Sequence, residues 1–178
     1  MRVKPFNSVF SFHDCRIENI EEEKSKITLY FDDGYTFKEN NEGQADYAMT
    51  NPRLVFHLDE SIEYPSSEEL NEIITGIIKE FDEDFEDLDF PTEEFEVSNI
   101  TIKLFEENTY KKITLKEFLE YDFEVINESF GYCYARFSGI VTKWDKDFSA
   151  DASIEIFYNN DLELIYDDLV ELEKQEDL

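Results

Sequence analysis

The chain has 178 residues, with 45 Asp plus Glu against 16 Lys plus Arg, a formal charge of −29. With 17 Phe, 10 Tyr and 1 Trp but only 5 Gly and 4 Pro, it is too aromatic and too poor in Gly and Pro to be a solvated, low-complexity chain, so a folded acidic domain is expected. That charge repels nucleic-acid phosphates and anionic membrane surfaces, and no apolar run approaches the roughly 18 residues that span a bilayer.

The first third reads as strands. FHDCRIENI is followed by KITLYFD, in which Ile27, Leu29 and Phe31 alternate with Thr28, Tyr30 and Asp32. Asp33-Gly34 then separates this run from YTFKE, and alternation on both sides of Asp-Gly predicts a hairpin through a type I′ turn. Residues 39–50 (ENNEGQADYAMT) are polar and read as a loop, and RLVFHLD, residues 53–59, as a further strand.

From Tyr64 the period changes. Leu70, Ile73, Ile74, Ile77, Ile78 and Phe81 form one helical stripe, entered through Pro65 and a Ser66/Glu69 capping-box spacing. An amphipathic helix over about 66–81 is expected, although isoleucines, Thr75 and Gly76 are poor helix formers and a buried strand over 72–80 is the alternative. FEVSNITIKLF reads as a strand, and Thr114 with Glu117 marks a short helix over about 114–121. FEVI, GYCYARFSGIVTKW and ASIEIFY are strand candidates, the last joined to LELIY in a tight hairpin through Asn159-Asn160-Asp161. DDLVELEKQEDL favours a C-terminal helix. The expectation is therefore an α+β fold, mainly an antiparallel sheet of about seven to nine strands with these helices. It is taken as a single domain over 1–178, a split near 83–95 being disfavoured.

The charge is concentrated. Residues 59–96 hold 16 acids and one base, Lys79, or −15 in 38 residues. Phenylalanines interleave the densest part, EFDEDFEDLDFPTEEFE. One reading is a solvated loop pinned to the core by its phenylalanines. The sharper one is a recognition surface in which Asp82, Glu83, Asp84, Phe85, Glu86, Asp87, Asp89, Glu93 and Glu94 meet a basic protein partner, since such fields steer encounter. Asp82, Asp84 and Glu86 are spaced as in a calcium loop, but Asp87 stands where Gly is needed for the turn, so no metal is assigned.

Catalytic chemistry has one candidate. His13-Asp14-Cys15 brings an imidazole, a carboxylate and a thiol together, and a Cys–His pair or a zinc site completed by His57 can be written from it. A zinc site would lack two ligands, and the plainer reading buries Cys15 while His13 and Asp14 close a strand end. Phosphate loops, nucleophile elbows, HExxH and dinucleotide fingerprints are absent, so no catalytic residue and no cofactor are assigned. Tyr132, Tyr134 and Trp144 could line a groove or form one face of a sheet. The first twenty residues lack the series of a secretory signal, which makes a cytoplasmic location with Cys15 and Cys133 reduced the expectation.

FHDCRIENI followed by KITLYFDDGYTF resembles a loose group of small, acidic, sheet-rich proteins of low-GC Gram-positive bacteria, including YxiG-like proteins and immunity proteins of polymorphic toxin systems. The resemblance spans about 40 residues and implies a cytoplasmic protein that binds and blocks a toxin without catalysis; it transfers no site residue. The function expected is thus a non-enzymatic acidic interaction protein that captures a basic partner such as a nuclease toxin. The alternatives are a small metal- or thiol-dependent enzyme using His13 and Cys15, and an oligomerising β-domain.

Overall fold

The computed structural model describes residues 2–3, 10–40, 43–58, 98–106, 108–143, 147–159 and 161–172. The chain divides into two compact units, Met1–Asp59 with Asn99–Leu178, and Glu60–Ser98. The expected helix over 66–81 and the acidic run 82–94 fall in the second unit, outside the described residues.

Among the described residues the first unit is built from strands. They are β1 (Arg2–Val3), β2 (Phe10–Ser11), β3 (Arg16–Glu23), β4 (Lys26–Phe31), β5 (Tyr35–Asn40), β6 (Gly43–Thr50) and β7 (Arg53–His57). After the second unit come β8 (Ile100–Glu106), β9 (Thr109–Ile113), β10 (Asp122–Gly131), β11 (Tyr134–Lys143), β12 (Phe148–Phe157), β13 (Leu162–Ile165) and β14 (Asp168–Glu171). One helix, α1 (Leu115–Phe118), has 4 residues. The α+β expectation is therefore corrected: the described fold is antiparallel β, with no helix beyond that single turn. The helix at 114–121 forms only over α1, held by the capping box in which Thr114 and Glu117 satisfy each other's backbone N–H groups.

The expected C-terminal helix is a strand instead. Leu169 pairs with Met49 and Val170 with Ala48 along β6. A run this short cannot repay helix nucleation, whereas the edge of β6 offers ready-made partners and Leu169 packs on the core. The polar stretch expected as a loop at 39–50 supplies β6 for the same reason: its ladder partners on both sides outweigh its lack of apolar residues.

Ten strands form one sheet in the order β1-β13-β7-β4-β3-β10-β11-β12-β8-β9, and four form a second, β14-β6-β5-β2. Alternation explains the large sheet's inner face. Ile27, Leu29 and Phe31 on β4, Leu54 and Phe56 on β7, Ile100, Ile102 and Leu104 on β8, and Ala152, Ile154 and Ile156 on β12 are all buried. β7 and β11 lie four places apart in the order, roughly 19 Å in a flat sheet at ~4.8 Å per strand. Yet the rings of Phe56 and Phe137 are 6.4 Å apart, and Phe31 and Phe137 5.9 Å. The sheet therefore bends over, so that its two halves share one core.

The bend coincides with the β3–β10 seam. Only Arg16–Glu124 and Ile17–Phe123 pair there, and each strand carries a bulge beside it, at Glu18 and at Ile126. A bulge adds one residue and reverses the faces beyond it. Ile17 and Ile20, three residues apart, both reach the core for that reason.

Asp33-Gly34 does not make a hairpin. β4 pairs with β3 and β7, β5 with β2 and β6, and the chain uses Asp32–Gly34 to pass from the large sheet to the small one. Gly34 is needed there because a Cβ would come within 2.8 Å of the Phe12 ring and 2.7 Å of the Met49 methyl. The hairpin expected at 159–161 is likewise corrected, because the strands on either side, β12 and β13, do not pair.

Candidate functional site

A chain passing between sheets leaves the hydrogen-bond ladder, and the N–H groups released must find other acceptors. Two such crossings lie together. In the first, between β2 and β3, residues Phe12–Cys15 form a turn closed by the Cys15 N–H on the Phe12 carbonyl at 3.0 Å, with Asp14 in the left-handed region at φ 62°. The second is Asp32–Gly34. Carboxylates take up the released donors. Asp32 Oδ1 accepts the Arg16 N–H at 2.6 Å, Asp33 Oδ1 accepts the Gly34 N–H at 2.8 Å, and both oxygens of Glu128 accept the Phe12 N–H, at 3.1 and 2.9 Å.

Glu128 reaches this position because of the Ile126 bulge. Phe123 and Val125 face inward before it, and Glu128 and Phe130 turn to the same side after it. Phe130 then packs on Phe10 and Phe137, with centroids at 5.5 and 5.7 Å. Burial pushes the Glu128 carboxyl above its usual range, opposed by the Phe12 N–H, the Ser11 hydroxyl and His13.

The four carboxylates act on a common point. The Cys15 thiol is pushed up to about 12, first by burial and then by Asp32, Asp33, Glu128 and Asp14. The Tyr35 phenol is raised as well, first by Asp33. Asp14 pairs with the His13 imidazole at 3.2 Å, and among the described residues none of the four carboxylates forms an ion pair with Lys or Arg. The result is an anionic rim set on a rigid turn, a sheet crossing and a bulge.

This geometry removes the basis for a thiol nucleophile. Cys15 is 2 % exposed and its Sγ donates to the His13 carbonyl at 3.6 Å, while the His13 side chain is 58 % exposed and its imidazole pairs with Asp14. His57 cannot join His13 on one ion. His57 pairs with Lys26 at the start of β4 and the His13 turn lies past its end, a separation of roughly 17 Å at ~3.3 Å per residue. His57 Nε2 instead sits 3.8 Å from Glu163 Oε2. Cys15 and Cys133 are unbridged, and among the described residues no group of three His, Cys, Asp or Glu is placed to hold a metal ion.

Of the residues singled out in sequence, only Asp14 contributes to the rim. Asp82, Glu83, Asp84, Phe85, Glu86, Asp87, Asp89, Glu93 and Glu94 lie outside the described residues, as does Trp144. Asp32, Asp33 and Glu128 were not expected in a site. The first two read as a turn, and the only trace of the third was a break in alternation, since Val125 and Phe130 are an odd number of residues apart. Among the described residues no helix is long and apolar enough to cross a membrane. No protein-family model, curated protein or solved structure matches this chain.

Proposed function

We propose that this protein is a non-enzymatic, acidic binding domain that captures a basic protein partner in the cytoplasm, as an immunity protein blocks a nuclease toxin. The observation that carries this reading is the rim of Asp14, Asp32, Asp33 and Glu128, four carboxylates around the Cys15 turn with no Lys or Arg ion pair among the described residues. Backbone N–H groups could be satisfied equally well by Asn, Gln or Ser, so the excess charge is not required by the crossings themselves. Fixed like charges weaken the unbound protein and are relieved by a cationic ligand, which also feels the −29 field from a distance. The acidic, phenylalanine-bearing run 82–94 offers a partner the same chemistry in its sequence, with Phe85 as an apolar anchor.

The test is binding to a basic toxin domain encoded beside this chain's gene, with association followed across ionic strength. A steered complex associates at least tenfold more slowly between about 0.02 and 0.5 M salt, because the Debye length contracts across that range. An association rate indifferent to salt overturns the reading.

A further inference from the structure

The outer face of the large sheet carries chemistry that the acidic rim does not use. On β11, Arg136, Ser138 and Ile140 alternate with the buried Ala135, Phe137, Gly139 and Val141, so they point away from the core. Across to β12 they pair with Glu155, Ser153 and Asp151 in turn. All of these paired residues but Glu155, with Ile126 from the β10 bulge and Tyr110 from β9, line a groove of about 320 Å³. That volume lies within the range of small-ligand sites.

Two buried polar atoms of groove residues have no hydrogen-bond partner among the described residues. Ser153 is only 2 % exposed although it faces outward, and its Oγ is buried without a hydrogen bond. The Arg136 Nε is also buried and unbonded. Glu155, directly opposite Arg136, gives its carboxylate to the Lys103 ammonium at 2.8 Å. An arginine Nε and a serine hydroxyl thus lie buried beside the groove with no acceptor among the described residues, whereas buried polar groups normally find partners.

We propose that this groove binds a small organic carboxylate. The guanidinium of Arg136 has a fork of parallel donors that matches the two oxygens of a carboxylate, and the Ser153 hydroxyl supplies a third once the side chains part to admit the ligand. The uncharged body of the ligand lies against Ile126, Ile140 and the Tyr110 ring, all of which have exposed surface to cover. Asp151 stands opposite Ile140, about 13 Å along the strand from Arg136 at ~3.3 Å per residue. Together with the net charge it sets the polarity, admitting one anionic end and rejecting polyanions. This site is independent of the acidic rim.

The experiment is a calorimetric titration of the full chain with benzoate, acetate and inorganic phosphate, repeated on R136Q, R136K and S153A. Benzoate is expected to bind at one saturable site, more tightly than acetate, which lacks a body to pack, and more tightly than phosphate. R136Q is expected to weaken benzoate at least tenfold. R136K, which keeps the charge but loses the fork, and S153A should each weaken it roughly five- to tenfold. Should R136Q fail to fold, R136K and S153A decide the matter, with amide shifts at Ser138 and Ser153 in the unmodified protein as a second readout. No saturable benzoate binding, phosphate binding at least as tightly, or unchanged affinity in the folded Arg136 and Ser153 variants overturns the proposal.

Discussion

The backbone N–H of Phe12 donates to both carboxylate oxygens of Glu128, residues 116 positions apart in the chain. This contact ties the first sheet crossing to β10 just past the bulge, and places an ionisable group where water is scarce.

Its consequence is a pH dependence of known sign. Burial raises the Glu128 carboxyl in the folded state, so the folded protein holds that proton to higher pH than the unfolded chain. The stabilisation from protonation is fully present below the unfolded carboxylate range and is lost as pH rises through the raised folded value. Glu128→Gln keeps an acceptor for Phe12 but removes the titration. Measured by denaturant unfolding across weakly acidic to neutral pH, the Gln variant gains on the unmodified protein as pH rises. Glu128→Ala, which strands the Phe12 N–H, loses about 1–3 kcal/mol at every pH. Parallel pH profiles for the Gln variant and the parent would contradict the assignment.

Gly139 faces the bulge from β11, and a Cβ there would overlap the Glu124 carbonyl oxygen and lie 3.1 Å from the Ile126 nitrogen. The obstacle is backbone, so no side-chain rotation relieves it. Gly139→Ala is expected to cost about 2–3 kcal/mol, on the scale of overpacked sites, and to lower Tm by several degrees. A Tm within a degree of the parent would show that the bulge can shift freely.

The two cysteines should differ sharply in reactivity. With its thiol pushed up to about 12, Cys15 is ionised only to about 10⁻⁴ at pH 8, and it is buried besides. Cys133 sits half-buried on the turn between β10 and β11. Titration of the native protein with a thiol reagent therefore modifies one cysteine, and Cys133→Ser removes that reaction. Rapid labelling of Cys15 without denaturant would place it at an open site after all.

Asn can replace the rim aspartates without loss of acceptors, and it tolerates the left-handed backbone of Asp14. The variant D14N/D32N/D33N thus isolates charge from capping. At low salt it is expected to be more stable than the parent, the gain shrinking towards zero near 1 M salt as repulsion is screened. Association with a basic partner should slow and lose much of its salt dependence. Equal destabilisation at all salt concentrations would mean that the carboxylates serve only as caps.

Much of the strand content was visible in the amino-acid order. Burial of one face imposes a period of two, and Ile27–Leu29–Phe31 and Ile100–Ile102–Leu104 carry it plainly; composition likewise established a folded, strongly anionic chain. Strand partners were not visible, because pairing is decided by contacts far apart in sequence. Asp33-Gly34 has the composition of a hairpin turn and serves as a crossing between sheets, while residues 168–171 favour helix locally and become a strand once β6 offers its edge. The rim is the extreme case: Asp14, Asp32, Asp33 and Glu128 meet only because a turn, a crossing and a bulge converge, and only the folded backbone brings such features together.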